Sequence, residues 1–224
     1  EGPYKNDLIE LGVKLKLIKV NRHGINPFED MILVRQYFNL IKQIKPDIVL
    51  TYTIKPNVYG GIVCQLLRVP YIANITGLGT AVENAGIMQY ITVFLYRLAL
   101  KRAKKVFFQN KENQSFMLNR GIIRTSYEVL PGSGVNLKHF EEMDYPDDTV
   151  IHFSFISRIM KEKGIEQYLE AAEYIKNKYD NTRFHVCGYC EQDYIKELEY
   201  LQQKEIIEYH GCIRDVREMH RISH

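Results

Sequence analysis

The chain has 224 residues, 46% of them apolar, which is enough to bury a core in one large domain or two small ones. Its formal charge of +3 is too small to indicate a nucleic-acid partner, and its four irregularly spaced cysteines do not match the disulfide framework of a small secreted domain. The first residues contain no initiator methionine and the last stop inside a helical pattern, so we expect a fragment of a longer protein.

Short hydrophobic runs alternate with helical patterns along the chain. Several of these runs are continuously apolar, which is typical of parallel strands buried on both faces. The alternation predicts an α/β fold made of βαβ units. The predicted strands are Leu15–Val20, Asp47–Tyr52, Tyr71–Thr76, Lys105–Gln109, Tyr127–Leu130, Val150–Ile156, Arg183–Cys187 and Ile206–His210.

One helix start is especially clear. Asn26 can cap the helix, Pro27 fits its first position, and the helix is expected to continue to about Lys45, where Pro46 stops it. The alternation breaks once, at turn and linker residues between Pro131 and Thr149. The sequence therefore predicts two α/β domains joined by a hinge near residues 132–136.

Two basic residues lie where a predicted strand is followed by a predicted helix, Ile165–Tyr179. Arg158 follows the strand and Lys163 precedes the helix. The carboxyl ends of strands in open α/β sheets bind ligands, and a helix N-terminus favours a phosphate. Arginine and lysine both bind phosphate oxygens, so this junction predicts a diphosphate site. The alternative is a solvated, charged turn, which is our interpretation of Lys161 and Glu162.

Residues 87–105 are apolar over most of a helical circumference and basic at their end. Arg97, Lys101 and Lys104 would lie on one helical stripe. The apolar part is too short to span a bilayer, which takes about 20 residues. The pattern fits a helix that lies in a membrane interface, and equally a buried core helix with a basic end.

Cys187 and Cys190 form a C-x-x-C motif between a strand and a helix. A thioredoxin-like redox role is one interpretation, but the chain has too many βα units for that fold. A zinc site would add His210 and Cys212, although His-x-Cys is an unusual zinc spacing. The other histidines show no clustering along the sequence, and we expect no metal.

Several motifs carry a family resemblance. The segment containing Arg158 and Lys163 resembles the G-R-[LI]-x-x-E-K-G motif of GT-B glycosyltransferases of family 4, with Ser157 in place of the usual glycine. Leu130–Asn136 is similar to the family's P-x-G-V-D hinge segment, with asparagine in place of aspartate.

Further segments of the chain resemble motifs of this family and occur in the same order. His185–Gly188 is similar to a strand that usually ends in G-x-G, and His210–Val216 is similar to a stretch near the nucleotide base. Lys55–Gly60 and Ile75–Gly79 look like bacterial capsule and O-antigen members of the family. The family's Gly-rich loop and E-x7-E segment are absent, so we expect the fragment alone to be inactive.

The resemblance implies two Rossmann-like, doubly wound domains. Residues 1–135 would be an acceptor-binding domain without its first strand, residues 136–149 a linker, and residues 150–224 the start of a nucleotide-sugar domain. The site residues implied are Arg158, Lys163, Gly188 and Ile213 for the donor, and Thr76, Gly77 and Gly79 for the acceptor. Glu83, the nearest carboxylate to the acceptor loop, is a poor candidate for a catalytic base.

The same resemblance implies an activity. The expected enzyme is a retaining glycosyltransferase that uses a nucleoside diphosphate sugar, most simply a UDP-sugar, and a polyprenyl-diphosphate-linked glycan acceptor. It would need no metal cofactor and would lie in the cytoplasm, peripherally on the inner-leaflet membrane surface. The alternatives are a nucleotide-sugar epimerase or hydrolase of the same fold, and a non-catalytic membrane-associated domain.

Overall fold

The computed structural model describes residues 4–21, 26–79, 86–190 and 193–224. The chain divides into two compact units. The first consists of Asp7–Gly134, and the second consists of Val135–His224 together with the described residues before Asp7. Both units contain parallel sheets with intervening helices, so the predicted α/β class is confirmed.

The first unit contains a four-stranded parallel sheet in the order β1-β2-β3-β4. Its strands are β1 (Val49–Tyr52), β2 (Tyr71–Ile75), β3 (Lys105–Phe108) and β4 (Tyr127–Val129). Helix α1 (Lys5–Glu10) begins with residues of the second unit and continues into the first. The other helices of the first unit are α2 (Pro27–Ile44), a π-helical turn (Pro56–Gly60) that continues into α3 (Gly61–Leu67), α4 (Ile87–Leu100) and α5 (Lys111–Asn119). The central strands and the inner faces of α3 and α4 form the core, in which Val63, Ala73, Leu100, Val106 and Phe108 are fully buried.

The second unit contains a three-stranded parallel sheet in the order β5-β6-β7. Its strands are β5 (Ile151–Ile156), β6 (Thr182–Cys187) and β7 (Glu208–Gly211). Its helices are α6 (Ile165–Lys176), α7 (Ile195–Gln203) and α8 (Arg217–Ile222), with a 3₁₀ turn (Lys161–Lys163) before α6. Its core is built around Ile159, Ile165, Leu169, Val186 and Leu198.

Helix α2 has the ends that the sequence predicts. The side chain of Asn26 accepts a hydrogen bond from the backbone N–H of Phe28, at 3.1 Å, and Pro27 occupies the first turn. Lys45 adopts a left-handed conformation (φ 51°) and donates its N–H to the carbonyl of Ile41, which closes the helix. The predicted helix is thus confirmed to within a residue.

The predicted strand Leu15–Val20 is wrong. Residues 13–20 carry no helix or strand, and no described strand pairs with them. A segment becomes a strand only when a neighbour completes its hydrogen-bond ladder. Such a partner is a tertiary property that the pattern of apolar residues does not contain.

The helix that carries the basic stretch ends earlier than the sequence predicts. It stops at Leu100, because Ala103 turns into the core and the N–H of Lys104 donates to the carbonyl of Tyr71, at 2.8 Å, as β3 begins. Arg97 is therefore in the helix, whereas Lys101 and Lys104 lie beyond it, and the three do not form one helical stripe. No described helix is both long and apolar enough to traverse a bilayer.

Candidate functional site

The loops after β5, β6 and β7 meet at one edge of the second sheet. The N–H of Ser157 donates to the carbonyl of Cys187 at 3.1 Å, and the N–H of Gly188 donates to the carbonyl of Gly211 at 2.8 Å. Because the three strands are parallel, these are all carboxyl ends, where open α/β sheets place their ligands.

Gly188 has no room for a side chain. A Cβ atom at this position would lie 1.7 Å from the carbonyl oxygen of Ser157. Its φ angle of 156° is also one that other residues rarely adopt. Because Gly188 has no side chain, the backbones of the loops after β5 and β6 can come into contact. Main-chain groups therefore form much of the carboxyl edge of this sheet.

Arg158 and Lys163 lie at the predicted strand–helix junction. Arg158 is the second residue after β5, and Lys163 is the last residue of the 3₁₀ turn before α6. Both side chains are exposed. The structure places them on one connecting loop, and their role in binding stays a prediction.

The N-terminus of α6 carries no side-chain cap. Gly164 occupies the cap position with φ +80° and offers no acceptor to the first N–H groups. These groups and the helix dipole together favour an anion. The same position in α2 and α5 is filled by an asparagine whose side chain accepts from the helix backbone.

Lys161 is a solvent-exposed residue, as predicted, but it also has a structural contact. Its ammonium lies 3.1 Å from one carboxylate oxygen of Glu166. The other oxygen of Glu166 accepts a hydrogen bond from the hydroxyl of Tyr194, at 2.9 Å. These two hydrogen bonds lower the pKa of Glu166. Lys161 thus neutralises an acid in the first turn of α6, and Lys163 has no such partner in the part of the chain that the structure describes.

Ile213 lies two residues after β7 and is half-buried. Close by, the guanidinium of Arg217 donates from Nε to both oxygens of Asp215, at 2.8 and 3.0 Å, and this pairing lowers the pKa of Asp215. The sequence motif His210–Val216 includes Asp215 but not Arg217, with which Asp215 pairs. The arginine adjoins Val216 in the sequence, but the spacing alone gave no sign of the pair.

In the first unit, the predicted acceptor loop follows β2. Thr76 is exposed, and Gly79 has φ +69°. A Cβ atom on Gly79 would lie 2.9 Å from Cδ1 of Ile54, so the loops after β1 and β2 are in close contact, whereas Gly77 has open space around its Cα. Glu83 lies outside the described residues.

Sequence reasoning missed a buried polar cluster in the first unit. Asp30 on α2, 6% exposed, accepts from the ammonium of Lys55 at 2.8 Å and from the hydroxyl of Tyr59 at 2.8 Å. Burial and this hydrogen bond raise the pKa of Tyr59. The cluster borders a pocket of about 630 Å³ whose wall includes Asp30, Lys55 and Gln36. Lys55 and Tyr59 stood in a family-like segment, but Asp30 looked like an ordinary acid in a first helical turn.

Helix α4 buries one side and exposes the other. Thr92, Val93, Tyr96, Ala99 and Leu100 face the core. The exposed apolar face of α4 consists of Ile87, Tyr90, Ile91, Phe94 and Leu98. The helix is therefore a core helix that also presents an exposed apolar stripe, and its contact with a membrane stays a prediction. Arg97 donates to the carbonyl of Arg120 at 2.6 Å.

The cysteines do not form the site that their spacing suggested. Cys187 is buried, and burial raises the pKa of its thiol, which opposes the reactive thiolate of a redox motif. Among the described residues, the group with metal-ligand geometry is His185, Glu208 and His210. The interpretation that the histidines do not cluster is therefore wrong, because neighbouring strands bring them together.

Comparisons with known proteins agree with this fold. A family model for glycosyl transferase 4-like proteins matches residues 1–110, and a model for glycosyl transferases group 1 matches residues 141–224. The chain belongs to the GT-B glycosyltransferases of family 4.

A curated relative is N,N'-diacetylbacillosaminyl-diphospho-undecaprenol alpha-1,3-N-acetylgalactosaminyltransferase of Campylobacter jejuni. It is 26% identical over 98% of this chain, and the chain spans 62% of the relative's length. Among solved structures, HepE of Anabaena in complex with UDP and glucose is 18% identical over the whole chain and 62% of that protein, with a TM-score of 0.72. A glycosyltransferase of Rickettsia africae is 19% identical over the whole chain and 61% of that protein, with a TM-score of 0.60. These structures support the Rossmann-like GT-B fold.

Proposed function

We propose that the protein is a retaining glycosyltransferase that moves a sugar from a UDP-sugar to a polyprenyl-diphosphate-linked glycan in surface polysaccharide synthesis. The observation that supports the proposal is the loop between β5 and α6, which carries Arg158 and Lys163 and ends at the uncapped N-terminus of a 12-residue helix. Two cations and a row of N–H groups are what a diphosphate needs.

The proposed chemistry follows from charge. When the bond between the anomeric carbon and the diphosphate oxygen breaks, the electron pair stays on the diphosphate. Arg158 and Lys163 stabilise this developing charge, as preorganised donors do in other transferases and hydrolases. The cations and the helix terminus replace a divalent metal in this step, so the transfer itself needs no metal. Gly188 and Ile213 would contact the nucleotide from the adjoining loops.

Donor and acceptor follow from the relatives rather than from this chain alone. HepE of Anabaena was crystallised with UDP and glucose, which supports a UDP-sugar. The Campylobacter relative is named for a diphospho-undecaprenol substrate, which supports a lipid-linked acceptor. We place this acceptor at the loop after β2, which contains Thr76, Gly77 and Gly79 and is open around Thr76 and Gly77.

A lipid-linked acceptor requires access to a membrane. The exposed apolar face of α4 is the surface we assign to this contact, with the enzyme lying peripherally on the cytoplasmic side of the inner membrane. The exposed side chains of Lys101 and Lys104 follow the helix and would add attraction to anionic lipids, about 1 kcal/mol for each basic residue near the surface.

The test is transfer of radiolabelled sugar from UDP-sugars to an undecaprenyl-diphosphate-linked glycan by the purified full-length protein and its variants. We expect Arg158→Ala and Lys163→Ala each to lower kcat by about 10²–10³-fold. Lys161→Ala is the matched control, because this lysine lies in the same turn but pairs with Glu166. It should keep most of the activity.

The assignment fails if both variants transfer sugar at the wild-type rate while folding normally. Turnover of the UDP-sugar without any acceptor would instead indicate an epimerase or hydrolase. Folded wild-type protein that binds vesicles but turns over no UDP-sugar, with or without acceptor, would indicate a non-catalytic membrane domain.

A further inference from the structure

The sheet of the second unit carries a row of histidines that the transfer reaction does not use. His152 lies on β5, His185 on β6 and His210 on β7. Glu208 is in register with His185 on the neighbouring strand, and side chains two residues apart on a strand face the same side. Three potential ligands from two strands therefore share one face of the sheet.

The ligand atoms of this group have the spacing of a metal site. Nδ1 of His185 lies 3.0 Å from Nε2 of His210 and 3.4 Å from Oε2 of Glu208, and the last two atoms are 4.0 Å apart. Zinc bonds of about 2.0–2.1 Å at tetrahedral angles place neighbouring ligand atoms about 3.3–3.4 Å apart. The three observed distances lie on both sides of this value, so small rotations of the side chains would give all three pairs the separation that zinc needs.

His210 lies at a β-bulge. Val186 pairs with Tyr209 and Cys187 pairs with Gly211, so His210 is the extra residue between two successive pairs. Bulges are over-represented next to functional sites. At this bulge, Nε2 of His210 lies 3.0 Å from Nδ1 of His185.

His152 gives the group a supporting contact. Its Nδ1 lies 2.8 Å from Nε2 of His185, and the planes of the two rings differ by only 2°. When Nε2–H of His185 donates to His152, the lone pair of His185 Nδ1 is left facing Glu208 and His210. A metal-binding histidine usually donates its second nitrogen to such a partner. His185 itself is only 2% exposed.

We propose that His185, Glu208 and His210 bind a divalent transition-metal ion of the zinc type, with water in the fourth position. Two imidazoles and one carboxylate suit zinc better than magnesium or calcium, which prefer oxygen ligands. Glu208 and His210 are partly exposed, so the ion can enter from solvent. The ion cross-links β6 to β7 just before Gly188 and Gly211, and thereby stabilises the loops of the candidate donor site without taking part in the transfer.

The test uses untagged protein treated with EDTA and then titrated with ZnCl₂ against a chromophoric chelator. We expect one zinc ion per chain and a higher melting temperature when zinc is bound. Glu208→Gln and His210→Gln alter partly exposed side chains, so both variants should fold, and each should weaken zinc binding about 100-fold or more. His152→Ala, which removes only the supporting contact, should weaken it by about 10–100-fold.

His220→Gln is the matched control, because this histidine is exposed on α8 and outside the group. Its zinc affinity should equal that of the wild type. A wild-type protein that takes up no zinc would overturn the proposal and leave a hydrogen-bonded histidine network. Zinc that is lost in Cys190→Ser and Cys212→Ser, but kept in Glu208→Gln and His210→Gln, would place the ion at the thiols and also overturn it.

Discussion

The two units differ in the groups that lie near the ends of their strands: main-chain groups in the second unit and polar side chains in the first. In the second unit, main-chain hydrogen bonds join the loops after β5, β6 and β7, and Gly188 leaves no space for a side chain. In the first unit, the polar groups near the strand ends are side chains. Asp30, Lys55 and Tyr59 contact one another across α2 and the π-helical turn.

This difference suits different ligands. Under the proposed function, the second unit binds a diphosphate, which is the same in every nucleoside diphosphate sugar, so fixed backbone N–H groups and two cations are sufficient to bind it. The first unit would bind the acceptor, and its polar side chains can be exchanged without rebuilding the sheet. The first unit also presents the exposed apolar face of α4, whereas the second unit uses its central helix α6 to cover the core. Each contrast can be tested by a substitution.

The largest effect is expected in the side-chain cluster. Asp30→Ala would leave the ammonium of Lys55 unpaired, and both side chains are mostly buried, at 8% and 14% exposure. Breaking one partner of a buried pair typically costs about 3–5 kcal/mol. Urea unfolding followed by circular dichroism should show this loss in the free energy of unfolding.

The exposed pair between Lys105 and Glu128 is the control for this measurement. Its side chains are 35% and 54% exposed, so Glu128→Ala should cost about 0–1 kcal/mol. Equal losses from Asp30→Ala and Glu128→Ala would mean that the cluster is no more than a surface ion pair, and the contrast between the two units would be lost.

The next largest effect is expected at the backbone edge of the second unit. Gly188→Ala would force the loops after β5 and β6 apart, because the new Cβ atom would meet the carbonyl of Ser157. Overpacking of this kind costs about 1–3 kcal/mol, and the upper end applies here because the neighbour is backbone. Thermal unfolding should show the loss, and UDP binding by calorimetry should weaken with it.

Gly77→Ala provides the contrasting case in the first unit. Apart from the chain neighbours of Gly77, no described residue has an atom within 4 Å of its hypothetical Cβ, so the free energy of unfolding should change little. If Gly77→Ala lowered the free energy of unfolding and Gly188→Ala did not, the proposed difference between the two units would be contradicted.

Local features of the fold could be predicted from the sequence. The ends of α2 followed from Asn26, Pro27 and Pro46, whose effects act within a few residues. Seven of the eight predicted strands exist, since continuous apolar runs are a local signal. Leu15–Val20 failed because a strand depends on a partner far along the chain.

The same limit explains what was missed at the sites. Arg158 and Lys163 are close in sequence, so their junction could be found from spacing. Asp30 meets Lys55 only after α2 packs beside the π-helical turn, and His185 meets His210 only through strand pairing and a bulge. Contacts between distant segments leave no periodic trace in a single sequence, whereas contacts within one loop do.

The smallest predicted effect concerns the exposed apolar face of α4. Phe94 is 57% exposed at its centre, and Phe94→Ser should weaken binding to vesicles of anionic phospholipid about tenfold, which corresponds to roughly 1.5 kcal/mol for the lost burial. Phe28→Ser is the control, because Phe28 is 75% exposed on α2 and outside this face. Co-sedimentation with vesicles should therefore distinguish the two variants. If both variants bind vesicles as the wild type does, the exposed apolar face of α4 does not contact the membrane. The two units would then differ only in the polar groups near their strand ends.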